Sequence, residues 1–191
     1  MGGLGARERL LDAAEELFAE RGIAATGVDA VLKRAHVAPA TLYAHFGGKD
    51  DLVAAALQRR HERWRAIWDE VLRRCGDDAV ERALSVFDAL DELHRREEAA
   101  RGCAFLAAAV EVVDPRHPAQ EWLAADTHLL DERLRELAAG TGAADPDALA
   151  TELLLLYDGA LAARARRAIT GPRKKPEVRA LAEAAVTRHL P

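Results

Sequence analysis

The 191-residue sequence has no asparagine, one serine (Ser85) and two cysteines. Aromatic residues are sparse too, with four Phe, three Trp and two Tyr. Each shortage excludes something. A single serine outside any Gly-x-Ser-x-Gly leaves no nucleophile elbow of the hydrolase kind. Cys75 and Cys103 share no motif spacing, so neither a disulfide framework nor a zinc site is expected. Both thiols read as reduced and inert. No run of about 18 apolar residues is present, so no membrane span and no membrane partner are expected. No N-terminal stretch resembles a signal peptide, which points to a cytoplasmic protein. Strand formers never alternate, apart from Val110-Glu111-Val112-Val113. What remains is Ala, Leu, Arg and Glu in helical order. Half the residues are hydrophobic, enough for a sizeable core. The expected fold is all-α.

The net charge is −5, so the molecule as a whole is not a basic nucleic-acid binder. The distribution is uneven. From Ala30 to Lys49 there is no acid, yet Lys33, Arg34, His36, His45 and Lys49 are present. A second acid-free run, Gly159 to Pro176, holds Arg164, Arg166, Arg167, Arg173, Lys174 and Lys175. On charge alone the second run is the better patch for nucleic acid.

Periodicity orders the N-terminal part. Leu10, Ala14, Leu17 and Phe18 share one face of a helix over Arg7 to Arg21, stopped by Gly22. Gly27 opens a short helix that turns Val28, Val31, Leu32 and Ala35 inward. After the turn His36-Val37-Ala38, Pro39 is pre-set for the first turn of a third helix. Leu42 and Phe46 bury together, which leaves Thr41, Tyr43, Ala44 and Lys49 largely outward. Gly47-Gly48 ends that helix and Lys49-Asp50-Asp51 opens the next. Helix, turn and a short helix with a polar outer face suit either a helix-turn-helix or a plain three-helix cluster.

The segment from Arg21 to Leu57 resembles the DNA-binding segment of the TetR family of bacterial repressors. The residues that carry the likeness are Gly22, Thr26, Val28, Ala35, Val37, Thr41-Leu42-Tyr43-Ala44-His45-Phe46, Gly48, Lys49 and Asp50-Asp51-Leu52. The likeness covers about a quarter of the chain and departs from the family pattern at Gly27, His36, Pro39 and Gly48. If position 36 needs φ > 0, His is among the better-tolerated residues there.

The resemblance implies an N-terminal three-helix DNA-binding domain over 1–48. A larger helical ligand-binding and dimerisation domain would occupy 49–191, with about nine helices in all. The third helix would then enter the major groove, about 12 Å wide. Pro39, Ala40 and Ala44 keep the backbone close to DNA. Tyr43, His45 and Lys49 are expected on phosphates, as are the Thr26 hydroxyl and the Gly27 N–H. Thr41, Ala40, Ala44 and the Tyr43 ring are left for bases. No Arg, Asn or Gln lies on this helix, so shape, methyl contacts and water are expected to carry specificity.

Beyond Lys49 the breakers Gly76-Asp77-Asp78, Gly102, Asp114-Pro115, the Gly-rich loop before Pro146 and Pro176 mark five further helices. The fifth helix is expected to run from Ala79 to about Ala100. Trp64, Trp68, Phe87, Leu90, His94, Phe105, Trp122 and Tyr157 are the expected lining of an effector pocket. The helix after Pro146 is apolar all round, with Leu149, Leu153, Leu156, Ala160 and Ala163 at heptad-like spacing. That face, with Leu181 and Ala185 from the last helix, is expected to meet a second copy of the chain. The run Arg164 to Lys175 then serves a helix C-terminus, not DNA.

Enzyme signals fail one by one. His61-Glu62 begins a zinc-protease motif, but Arg65 fills the second His position. Asp114 and His117, with His94 or His128, suit loop hydrogen bonds better than a metal. The expectation is therefore no enzyme, no metal and no cofactor. A homodimeric repressor with operator DNA and a small-molecule effector as partners is expected. An architectural DNA binder without an effector is the alternative, with a small helical enzyme ranked behind it.

Overall fold

The computed structural model describes residues 5–96, 103–170 and 178–191. Its helices are α1 (Ala6–Arg21), α2 (Val28–Ala35), α3 (Pro39–His45), α4 (Lys49–Arg74) and α5 (Ala79–Arg96). They continue with α6 (Ala104–Glu111), α7 (Gln120–Gly140), α8 (Pro146–Thr170) and α9 (Val178–His189). Among the described residues there is no strand, and Val110 to Val113 is the end of α6 and the loop after it. The expected end of the fifth helix near Ala100, the break at Gly102 and the cations Arg173, Lys174 and Lys175 lie outside the described residues.

The chain forms two compact units that divide inside α4 and α7, not at residue 49. One holds residues up to His61 together with Cys103–Asp126, and the other holds Glu62–Gly102 and Thr127–Pro191.

In the first unit, α1, α2 and α3 enclose Leu10, Leu11, Ala14, Leu17, Val31, Leu32, Ala35, Leu42 and Phe46, all buried. Leu52 and Ala56 of α4 close this core. The opposite side of α4, with Val53, Ala54 and Leu57, packs on Phe105 and Ala108 of α6 and on Val112 just after it. α4 therefore has two apolar faces here. Arg59 ties it to α1 from the flank, pairing with Asp12 at 2.8 Å, Glu15 at 2.7 Å and Glu8 at 3.2 Å.

The second unit is organised round Trp68, which is fully buried. Its indole N–H donates to Ser85 Oγ at 2.9 Å, and the Ser85 hydroxyl donates to the Arg82 carbonyl at 2.6 Å. The Arg133 guanidinium lies 4.8 Å over the Trp68 ring and pairs with Asp69 at 2.7 Å. Arg179 of α9 pairs with Glu81 and Asp88 of α5 and with Glu183 of its own helix. The chain's single serine thus has a specific task. A buried indole donor needs an acceptor, and Ser85 supplies it at the cost of one small hydroxyl. Ser85→Ala should lower unfolding free energy by roughly 1–3 kcal/mol, the usual penalty for an orphaned buried donor. Urea denaturation followed by tryptophan fluorescence measures it. A loss well under that range would mean that Trp68 finds another acceptor.

Candidate nucleic-acid interface

The turn between α2 and α3 is set by His36. It adopts the left-handed conformation at φ 54° and ψ 50°. The Val37 N–H donates back to the Leu32 carbonyl at 3.1 Å, closing α2 in the Schellman manner. His therefore fills a position that favours glycine, as the sequence allows. Pro39 then starts α3 behind Ala38, which makes no side-chain cap.

α3 buries Leu42, with Phe46 buried just beyond its end. Its other faces are open: Pro39, Ala40, Tyr43, Ala44 and His45 are exposed and Thr41 is half-buried. Tyr43 is 62% exposed, unusual for a residue of its size. Gly27 is exposed at the start of α2. Lys49 is half-buried, and its Nζ reaches the Ala24 carbonyl at 3.4 Å. Eight of the nine residues expected at DNA thus lie on or beside one helix-turn-helix with at least part of the side chain or backbone accessible.

Thr26 is the exception and corrects the expectation. It is 1% exposed, and its hydroxyl donates to the Gly22 carbonyl at 2.7 Å with a longer contact to Leu17 O at 3.3 Å. Its hydroxyl is spent inside the loop between α1 and α2 and offers nothing to a phosphate. The sequence pattern located the residue but not the direction of its side chain.

Two acids shape this surface without facing DNA, and sequence reasoning missed both roles. Glu111, at the end of α6, accepts from the Ala24 N–H at 2.6 Å. Gly22, at φ 85°, lets the carboxylate come close, since a Cβ there would lie 2.9 Å from Glu111 Oε1. Asp51 reaches back from the first turn of α4 to accept from the Gly47 N–H at 2.8 Å. A Cβ at Gly47 would lie 2.6 Å from Asp51 Oδ2, so glycine is needed for that close approach. The Asp51 bond resembles the second half of a capping box. A separation of 87 residues hides the Glu111 contact from any local pattern. Arg34 is also not a free cation on this face. It pairs with Glu16 at 2.8 Å and with Glu20, and those bonds raise its pKa further.

Asp114 and His117 take the modest role. Asp114 Oδ1 accepts from the Arg116 N–H at 2.9 Å, which holds its carboxyl below the ordinary range. His117 Nδ1 accepts from the Ala119 N–H at 3.0 Å. That fixes the proton on Nε2, which lies 3.4 Å from Asp50 Oδ1. Among the described residues no cluster of three or more His, Cys, Asp or Glu is arranged to hold a metal.

The residues expected to line an effector pocket divide between the units. Trp64, Trp68 and Tyr157 come together in the second unit, with ring centroids 5.5 and 5.9 Å from Trp64. Phe87 and Leu90 are buried in α5 and His94 is half-buried, all in that same unit. Phe105 and Trp122 belong to the first unit, where both rings contact His61.

The expected dimer face is corrected more strongly. Leu149, Leu153, Tyr157 and Leu161 are all buried within their own unit, as is Ala185 of α9. A spacing of four selects that inward stripe, and the heptad reading mixed it with the flanking Leu156 and Ala160, which are half-buried. The apolar residues left outside are Leu155 at 66% and Leu181 at 56% exposure.

Residues 10–56 match the sequence profile described as bacterial regulatory proteins, tetR family. The chain is similar to UidR of Escherichia coli, an HTH-type transcriptional regulator, with 39% identity over 57 residues. That match spans 30% of this chain and only 29% of UidR. It is also similar to FasR of Mycolicibacterium smegmatis, named a transcriptional activator, with 47% identity over 53 residues. That alignment covers 28% of this chain and 24% of FasR. The likeness to SCO4454, a TetR-family transcriptional regulator from Streptomyces coelicolor, runs through nearly the whole fold. It has 33% identity and a TM-score of 0.81, covering 96% of this chain and 87% of that one. On that extended likeness, and on the helix-turn-helix at its N-terminus, the chain belongs to the TetR family.

Proposed function

We propose that this chain is a homodimeric transcriptional repressor that binds a palindromic operator and releases it when a small molecule binds. The observation that carries the DNA half is the outer face of α3, where Tyr43, Ala44 and His45 stand exposed above buried Leu42. FasR is named an activator, so the kinship alone does not fix the sign. Repression is the simpler reading, because a dimer seated on a promoter blocks it with no further contact.

Phosphates would be met by Tyr43, His45, Lys49 and the N–H groups at Gly27, and bases by Thr41, Ala40 and Ala44. Pro39 lets the helix start close to the groove. Tyr43→Phe and Lys49→Ala should weaken binding to specific and random duplexes alike. Lys49→Ala should also flatten the dependence of log K on log salt by about one unit. Thr26→Val is the contrast: its hydroxyl is internal, so it should cost about 1–3 kcal/mol of stability with the salt slope unchanged. Fluorescence anisotropy at several salt concentrations, beside thermal melts, reads both. An unchanged slope for Lys49→Ala would remove that residue from the interface.

For the dimer, the supporting feature is the exposed face of α8 and α9, two helices that pack together. Leu155 and Leu181 stand out there beside exposed Gly159, Ala180 and Ala184, small enough for close helix approach. Two recognition helices about 34–36 Å apart would then read two half-sites. Leu155→Glu buries nothing in the monomer, so the chain should fold and remain a monomer. A carboxylate inside an apolar interface costs several kcal/mol. Light scattering should report the monomer mass, with operator affinity sharply reduced. A dimer of undiminished affinity would put the interface elsewhere.

An effector is favoured over an architectural role by Trp64. Its indole N–H is buried without an acceptor among the described residues, next to the Tyr157 ring. Buried donors are rarely left so, and a ligand acceptor would satisfy it. Such a ligand shifts operator affinity only by its preference for the DNA-incompetent state, tenfold for each 1.4 kcal/mol or so.

A further inference from the structure

Asp126 of α7 is a second buried polar group that this reading leaves unused. It is 8% exposed, and its Oδ1 accepts no hydrogen bond. Facing it, His61 Nδ1 of α4 lies 3.6 Å from Oδ1, beyond hydrogen-bond range. The His61 ring is bounded by Phe105 at 6.4 Å and Trp122 at 6.0 Å. The two polar groups therefore meet inside an aromatic frame, within one compact unit. An acceptor in such a place normally has a donor.

We propose that Asp126 and His61 form a binding site for a small molecule that presents a protonated nitrogen on a flat or apolar body. The nitrogen would donate to Asp126 Oδ1, and the body would lie against Phe105 and Trp122. This site is distinct from the Trp64 position above, and it rests on the effector reading for its regulatory consequence, though not for the binding itself.

Charge decides between ligand classes. Burial pushes the Asp126 carboxyl up to about 7, and the attraction of the Arg60 cation opposes that only in part. Arg60 and, when protonated, His61 at 3.6 Å thus offset only part of the cost of burying a charged Asp126. A cation adds what is missing and an ammonium donor makes a charge-assisted hydrogen bond. A neutral hydroxyl supplies the bond without the charge, and an anion would be repelled once Asp126 ionises. The other titratable groups present act in a consistent direction. Protonated His61 would compete with a cation, and Cys103, whose thiol burial pushes up, stays neutral. Cation binding should thus expel a proton from Asp126 and tighten as pH rises through about 7.

The test uses the full chain and three probes of one shape: 2-phenylethylamine, 2-phenylethanol and phenylacetate. Calorimetry in two buffers of different ionisation enthalpy measures affinity and proton release together. The expected order is amine, then alcohol, then acid, with proton release for the amine alone. Asp126→Asn keeps the shape and should weaken the amine at least about tenfold while leaving the alcohol within about twofold. His61→Gln repeats the test from the other side of the gap, and should leave the amine's preference over the acid intact. Equal amine binding by the native chain and Asp126→Asn, or phenylacetate binding as well as the amine, overturns the proposal. So does the absence of any binding by all three probes. Operator affinity measured with and without the amine separates the two ideas. Amine binding that depends on Asp126 but leaves operator affinity unchanged sinks the regulatory reading and keeps the site. Intact operator binding with no amine site does the reverse.

Discussion

The burial of Leu42 and Phe46 against α1 is the constraint on which the rest of the DNA-facing surface depends. α3 has only seven residues, too few to be stable alone. It exists because those two side chains, four apart, complete a core with Leu10, Leu17 and Leu32. Once they point inward, the helical period leaves Tyr43 and Ala44 no choice but to point outward. The same logic explains the turn. His36 accepts a left-handed backbone so that α3 can swing back and deliver Leu42 to the core. The strain is of the order of 1 kcal/mol, modest for a residue type that tolerates this region better than most.

Much of this was legible in the sequence because it is local. Helix limits followed from Gly22, Gly47-Gly48 and Pro146, and the inward faces of α1, α2 and α3 followed from a 3.6-residue period. What escaped was set by direction or distance. Thr26 was found, but whether a hydroxyl points to solvent or to the Gly22 carbonyl depends on a loop conformation that spacing does not encode. In α8 the sequence is apolar on every side, so period alone could not choose between a stripe at 149, 153, 157 and 161 and a heptad through 149, 153, 156 and 160. The fold buries the first stripe and leaves Leu156 and Ala160 half-buried on its flank. The pairing of Glu111 with Ala24 was beyond reach for the same reason, as nothing local links α6 to a loop so far upstream.

The polar groups inside the helices fall into two kinds, and the difference is informative. The Trp68 indole with Ser85, and its ring with the Arg133 guanidinium above it, are complete. They read as structure. Asp126 Oδ1 and the Trp64 indole are incomplete. A protein that spends its one serine on satisfying one tryptophan leaves another indole and a carboxylate open.

Charge placement answers the last difficulty, how a chain of net charge −5 presents a face to DNA. The acids of α1 lie within reach of the helix-turn-helix and would repel phosphate if left free. Glu8, Asp12 and Glu15 are engaged by Arg59, and Glu16 and Glu20 by Arg34. Asp51 is turned back onto the Gly47 amide and Glu111 onto the Ala24 amide. Arg34, counted by sequence among the cations of the acid-free window, is therefore engaged in neutralising acids of α1. The window from 30 to 49 then presents exposed Lys33, His36, Tyr43 and His45, with half-buried Lys49, among small side chains. Screening makes the arrangement sufficient. With a Debye length of about 8 Å at physiological salt, a phosphate at α3 feels the groups beside it and little of the negative charge carried farther off.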